Sequence, residues 1–213
     1  MNTRRAVFLD RDGVVNELIY YEEAGIVDSP FTVEQFALVA CAGEAISLLN
    51  RMGLKVIVVS NQPGVAKNHF SVHMLSRIDA KMKEELSVCG ALLDGIYYCL
   101  HHPHAENSPY AKSCQCRKPK PGLLLRAAED LGVELAESYM VGDNLTDVQA
   151  GQAAGCRTIL IGKPKCEVCH LMDSQGVRPD LIRENLLLAA KAILEWEKGA
   201  QPESLVCPQT TTR

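Results

Sequence analysis

The chain reads as an α/β protein with a three-layer, Rossmann-like fold: a mainly parallel sheet, helices on both faces, no large cap domain and one long loop insertion. Three observations predict it. Apolar runs of strand length recur at Ala6–Leu9, Val56–Val59, Ile96–Tyr98, Tyr139–Val141 and Thr158–Ile161, with Leu181-Ile182 as a candidate sixth. Between them stand helical patterns at Gly43–Met52, Val72–Val88, Gly122–Leu131 and Asp147–Ala154, and Glu184–Glu197 follows near the end. Asp10, Ser60 and Asp143 each come just past the end of such a run. Strand–helix alternation implies right-handed crossovers and ligands beyond the carboxyl ends of the strands. Three polar groups from distant parts of the chain therefore converge on one rim.

Taken in order, the first run ends in Leu9-Asp10-Arg11-Asp12-Gly13-Val14. In extended chain, residues two apart project to the same side, so Asp10 and Asp12 can face one substrate. Gly13 lets the backbone swing away without a Cβ clash. Paired carboxylates can divide the work of nucleophile and proton carrier, and with a divalent cation they can hold a phosphate. Asp-x-Asp alone equally describes a solvated acidic turn, and the convergence on one rim favours the site. Asn16 to Phe36 is a polar and aromatic connection that breaks the alternation, as does Leu100 to Pro121; both can overhang the rim. Asp147, one helical turn past Asp143, either orients the site or sits exposed where the helix dipole favours an acid. Residues 1–198 form a single domain, and Gly199–Arg213 reads as a flexible tail.

The second break in the alternation has its own chemistry. Cys99-Leu100-His101, twelve residues, then Cys114-Gln115-Cys116 supply three thiols and an imidazole in two close pairs. Four protein ligands with no open position describe a structural Zn²⁺ site, and a loop this long needs such a clamp to keep its shape. His102 and His104 are near enough to compete and are ranked as bystanders. Cys166, Cys169 and His170 imitate a haem or redox motif, but nothing around them supports one, and they read as surface groups. Cys41, Cys89, Cys156 and Cys207 read as isolated small side chains. Immediately after the clamp, Arg117 suits bidentate capture of a phosphate or of sugar hydroxyls, and Lys118 suits neutralising a transferring phosphoryl group.

Composition excludes several classes. With 213 residues and 47% hydrophobic content the chain builds one full core. A net charge of −4 leaves no electrostatic footprint for nucleic acid. Four apolar residues before Asp10 are too few for a secretory segment, and no stretch approaches about 18 apolar residues, so the expectation is a cytoplasmic protein without a membrane partner. Nine cysteines, an odd number without an export signal, favour reduced thiols and metal ligation over disulfides. No motif sets an oligomeric state, and a monomer fits.

Four motifs in this order, Phe8-Leu9-Asp10-Arg11-Asp12-Gly13, Ser60-Asn61-Gln62, Lys118 and Val141-Gly142-Asp143-Asn144, resemble the signature set of the haloacid dehalogenase (HAD) superfamily of aspartate-dependent phosphatases, over about residues 6–165. Within it, Tyr97-Tyr98-Cys99-Leu100-His101-His102-Pro103 and Cys114-Gln115-Cys116-Arg117-Lys118-Pro119 are similar to the heptose bisphosphate phosphatases. The related histidinol-phosphate phosphatases carry a shorter insertion. The resemblance implies Asp10 as nucleophile, Asp12 as acid/base, Ser60 and Lys118 as phosphate holders, and Arg117, Asn61 and Gln62 as substrate-binding residues. It also implies Mg²⁺ on the Asp10 and Asp143 carboxylates and the Asp12 backbone carbonyl, an all-oxygen set suited to that ion. The substrate it implies is a small phosphorylated molecule, a sugar bisphosphate first. Two departures stand out: Asn144 where the heptose enzymes commonly have lysine, and a more apolar Glu17-Leu18-Ile19-Tyr20-Tyr21. A zinc-stabilised binding protein without turnover is the rival of another class, against which Asp10, Asp12, Lys118 and Asp143 all stand intact.

Overall fold

A six-stranded parallel sheet is the middle layer of the computed structural model, which describes residues 4–106, 108–163 and 166–203. In chain order the strands are β1 (Ala6–Leu9), β2 (Ile19–Tyr21), β3 (Ile26–Asp28), β4 (Lys55–Asn61), β5 (Gly95–Cys99), β6 (Tyr139–Gly142), β7 (Arg157–Ile161) and β8 (Leu181–Arg183). β2 and β3 pair antiparallel as a separate ribbon, and the others lie in the order β5-β4-β1-β6-β7-β8. The chain leaves β1, builds one wing, then crosses back to build the other. β1 is therefore the switch point at which a crevice opens beyond the strand ends. Its register aligns the rim, with Leu9 opposite Val58 on one side and Val141 on the other.

Period-two alternation decides what each strand buries. Val7, Leu9, Val56, Val58 and Val141 meet α1 (Ala42–Arg51), α3 (Val72–Val88) and α7 (Leu186–Glu197) on one face. Ala6, Phe8, Ile57, Val59 and Met140 meet α4 (Gly122–Leu131), with Ala150 of α5 (Leu145–Ala154), on the other. Both faces being covered, these strands read as unbroken apolar runs. Each fully buried Phe, Leu or Ile contributes about 1.5–3 kcal/mol. Caps fix the helix starts: Ser71 Oγ accepts from the Met74 amide at 3.1 Å before α3, and Asn185 Oδ1 from the Leu188 amide at 3.0 Å before α7.

Several local readings change. β4 runs on through Ser60 and Asn61, because β5 keeps pairing as far as Asn61 opposite Cys99; Ser60 thus belongs to the strand and does not follow it. The Asn16–Phe36 connection contains the β2–β3 ribbon, which turns at Gly25 with φ of 62°. Its base is held by Tyr21, whose ring stacks on Phe31 at 4.2 Å and whose hydroxyl accepts from the Phe31 amide at 3.0 Å. A short α2 (Pro63–Ala66) follows β4, and α6 (Cys166–Gln175) carries Cys169 and His170, which the sequence assigned to the surface without an element.

In α6, Cys169 is buried against Val148, Leu160 and Met172 and is disulfide-bonded, which corrects the surface, reduced thiol expected there. Helical period explains it: positions 169 and 172 share the inward face. The Cys166 side chain, Cys207 and the tail from residue 204 lie outside the described residues. Among the described residues, no helix is long and apolar enough to cross a membrane.

Candidate active site

Asp10 takes the first position after β1, its amide donating to the Val141 carbonyl at 3.0 Å, so both central neighbours fix where its carboxylate emerges. Lys118 Nζ lies 3.0 Å from Asp10 Oδ1 and 2.5 Å from Asp147 Oδ1, and donates to the Val59 carbonyl at 2.9 Å. The Lys118 side chain is 1% exposed. Burial alone would lower its pKa, and the two carboxylates more than reverse this, holding it above the usual lysine value as an ammonium. Asn61 places the lysine: its Nδ2 donates to the Lys118 carbonyl at 3.1 Å and its Oδ1 accepts from the Lys118 amide at 3.0 Å.

Asp147 resolves in favour of the site. It is fully buried, and it forms a capping box with Asn144 at the start of α5, its Oδ2 accepting from the Asn144 amide at 3.0 Å. A Cβ on Gly142 would meet the Asp147 Cβ and carboxylate at 2.3 Å, so only glycine lets the acid fold under the strand end. Burial pushes the Asp147 carboxyl up to about 7, the charge of Lys118 opposing but not cancelling the rise. Asp143 stands at the end of β6 beside Asp10. Burial, and next the charge of Asp10, push its carboxyl up to about 6. Carboxylate oxygens of Asp10, Asp143 and Asp147 all lie within 4.8 Å of one another. Such a concentration of negative oxygen suits a hard divalent cation; both Asp147 oxygens are engaged, by Lys118 and by the Asn144 amide, whereas Lys118 takes only Oδ1 of Asp10.

Asp12, two residues on, is held by Arg11, Asn16 and Gln62. Asn16 Nδ2 donates to Asp12 Oδ1 at 3.0 Å and Gln62 Nε2 to Oδ2 at 2.5 Å. Gln62 is fully buried and also donates to Ser60 Oγ at 3.3 Å, so its amide faces the acid and the serine from beneath. Asp10, Asp12, Ser60, Asn61, Arg117, Lys118 and Asp143 line one cavity of about 280 Å³, from which the Gln62 side chain is absent. Val27 and Asp28 of the ribbon, with Ser29 just after it, form a further wall. Arg11, Asn16 and the ribbon carried no assigned role in the sequence. The local signal for Arg11 was a lone cation between two acids.

The insertion folds into the expected cluster. His101 Nδ1 lies 3.7 Å from Cys99 Sγ and 3.4 Å from Cys116 Sγ, and Cys114 Sγ lies 3.5 Å from Cys99 Sγ and 3.4 Å from Cys116 Sγ. A tetrahedral zinc bound at about 2.0–2.3 Å needs edges of about 3.5–3.8 Å, so the set has the right size. His102 and His104 are outside it, with His102 Nδ1 accepting from the His104 amide. The clamp reaches the cavity through Arg117, whose Nη1 donates to the His101 carbonyl at 3.3 Å. A Cβ on Gly122 would meet the Gln115 carbonyl at 2.4 Å, so glycine also lets α4 start against the loop.

A parallel sheet delivering two aspartates, a buried lysine and a third aspartate to one rim defines a phosphatase of the HAD type, and residues 115–189 match the HAD-hydrolase-like family model. The chain is 38% identical over 199 residues to the D-glycero-β-D-manno-heptose-1,7-bisphosphate 7-phosphatase of Escherichia coli K12, covering 92% of this chain and 97% of that one. It is 40% identical over 162 residues to the enzyme of the same name from Photorhabdus laumondii, covering 75% and 82%. The crystal structure of D,D-heptose 1,7-bisphosphate phosphatase from B. bronchiseptica, complexed with magnesium and phosphate, superposes with a TM-score of 0.73 at 29% identity, covering 90% of this chain and 99% of that one. The chain belongs to the D-glycero-β-D-manno-heptose-1,7-bisphosphate 7-phosphatase family.

Replacing Lys118 by Met should leave the buried Asp147 without a counter-ion and destabilise the metal-free protein by about 3 kcal/mol. Urea unfolding at neutral pH measures this. Adding Asp147→Asn should restore most of the loss; no recovery would mean that the lysine acts through packing alone.

Proposed function

We propose that this chain is a Mg²⁺-dependent phosphatase that removes the 7-phosphate of D-glycero-β-D-manno-heptose 1,7-bisphosphate through an aspartyl-phosphate on Asp10. The observation that carries the reading is the pairing of Asp10 with a buried ammonium on one side and with the raised carboxyl of Asp143 on the other. The Asp10 oxygen attacks phosphorus in line, the bond to the sugar oxygen breaks, and Asp12 gives that oxygen a proton. Asp12 then takes a proton from the water that opens the acyl phosphate. Lys118 offsets charge on the transferring group. Ser60 accepts from Gln62, which leaves its own O–H free to donate to a phosphate oxygen.

Asp10, Asp143 and the Asp12 backbone carbonyl would hold Mg²⁺, which supplies charge neutralisation for the phosphoryl oxygens when bound. Cys99, His101, Cys114 and Cys116 would hold a structural Zn²⁺ that keeps the insertion folded and Arg117 aimed into the cavity. Arg117 spends one donor on the His101 carbonyl and has others for a phosphate or hydroxyls at the far end of a bisphosphate. Asn61 serves by placing Lys118, and Gln62 by placing Asp12 and Ser60. The use of both Asn61 amide atoms by the Lys118 backbone, and the absence of Gln62 from the cavity lining, support this division. A water-filled cell interior fits the substrate class, and the reading assumes a cytoplasmic enzyme.

Phosphate release with Mg²⁺ should be faster on the heptose bisphosphate than on histidinol phosphate, and Asp10→Asn should reduce it by at least about 10³-fold. Preference for histidinol phosphate would overturn the substrate, and equal release by the variant would overturn the nucleophile. Elemental analysis should find one zinc per chain in the purified protein. Cys116→Ser should lose that zinc and weaken KM more than a distant surface substitution does; full zinc retention would remove Cys116 from the set.

A further inference from the structure

Between the two aspartates stands a side chain for which the reaction above has no use. Arg11 is fully buried. Its Nε and Nη2 donate to Asp12 Oδ1 at 3.1 and 3.0 Å, Nη2 also reaches Asp12 Oδ2 at 3.3 Å, and Nη2 donates to Gln62 Oε1 at 3.1 Å. On its other edge Nη1 lies 3.4 Å from the Tyr98 hydroxyl, and the guanidinium stands 5.4 Å from the Tyr98 ring centroid. The Tyr98 hydroxyl donates in turn to Asp79 Oδ1 at 2.6 Å. Asp79 belongs to α3, so the line Asp79–Tyr98–Arg11–Asp12 runs from a packed helix, through the end of β5, to the proton carrier.

Gln62 closes the arrangement. Its Oε1 accepts from Arg11 while its Nε2 donates to Asp12 Oδ2, and its amide donates to the Cys99 carbonyl at 2.8 Å, so backbone and side chain are both fixed. Burying a guanidinium costs several kcal/mol unless its donors are matched. A stability role alone would be met by an apolar side chain of similar volume. What the planar fork adds is a defined plane, which a lysine in the same place cannot give. That plane belongs to the Asp12 carboxyl, whose side chain is 13% exposed and open to the cavity on one side only.

We propose that Arg11 and Gln62, steadied from behind by Tyr98, are positioning residues that aim Asp12 at the leaving-group oxygen and so determine how well the enzyme expels poor leaving groups. The inference rests on the phosphatase reading above. When the P–O bond breaks, the departing oxygen takes the electron pair and, if it is a sugar alkoxide, a proton from Asp12. A p-nitrophenolate leaves without one. Misaiming Asp12 therefore slows the transfer step, which kcat/KM reports, selectively for the sugar phosphate, while the later hydrolysis of the acyl phosphate is common to both; damage to Asp10, Lys118 or the cation site slows transfer from both.

The test compares kcat/KM for heptose 1,7-bisphosphate and for p-nitrophenyl phosphate, with Mg²⁺, in Gln62→Leu, Arg11→Lys and Tyr98→Phe. Arg11→Lys should lose at least about 10-fold on the sugar and less than about 3-fold on the aryl ester, and Gln62→Leu, which also removes the donor to Ser60, should lose on both but at least about 3-fold more on the sugar. Tyr98→Phe, which deletes one hydroxyl and leaves no charge unpaired, should lose less in the same direction, and it keeps the test valid if the Arg11 variant does not fold. In an Asp12→Asn background Arg11→Lys should add nothing. Equal losses on both substrates, or an undiminished loss in that background, would overturn the proposal. If the wild-type protein hydrolyses aryl phosphates but no sugar phosphate, the substrate reading fails separately. Aryl phosphates of graded leaving-group pKa then decide: the variants should show a steeper dependence than the wild type, and parallel lines would refute the positioning role.

Discussion

A lysine ammonium that solvent scarcely reaches needs several compensating oxygens, and the rest of this rim is arranged to supply them. Lys118 obtains two carboxylates and a carbonyl, each from a different strand end: Asp10 after β1, Val59 in β4, Asp147 in the first turn of the helix after β6. Its backbone is clasped by Asn61 on both sides of the same residue. Three segments far apart in sequence are thereby fixed to one nitrogen. The parallel register of β1 with β4 and β6 sets the spacing that makes this possible.

Around that ion pair the electrostatics divide. On one flank Asp10 meets the Lys118 ammonium; on the other it meets Asp143, whose carboxyl its charge helps to raise. A divalent cation held by the two acids would relieve the repulsion, so the proposed Mg²⁺ and the lysine complement each other. The cysteine–histidine loop contributes at one remove. It brings Arg117 and Lys118 to the cavity as consecutive residues, one partly exposed and tied to the His101 carbonyl, the other buried.

Much of this was legible because it is local. Asp-x-Asp-Gly after an apolar run, two close pairs of metal ligands and a basic pair beside them carry their chemistry in residue type and spacing, and the alternation of strand and helix gives the sheet. What escaped depends on contacts between distant segments. Asp147 at a helix start has the same sequence whether buried or exposed, and its burial is decided by the absence of a side chain on Gly142. Ser60 and Asn61 extend β4 only because β5 pairs alongside them. The ribbon is three residues per strand, too short for its alternation to register, and its fixing contact joins Tyr21 to Phe31. Arg11 and Gln62 have the composition of surface residues; the core beneath the rim accepts them because they satisfy each other and Asp12.

The central claim is that phosphorus bonds transiently to one carboxylate, poised by Lys118. Quenching the enzyme during turnover with borohydride and mapping the modified residue by peptide mass spectrometry tests it directly. Reductive conversion of Asp10 to homoserine, dependent on both substrate and Mg²⁺, is the predicted result. Modification at another acid, or none while phosphate release continues, would contradict the account.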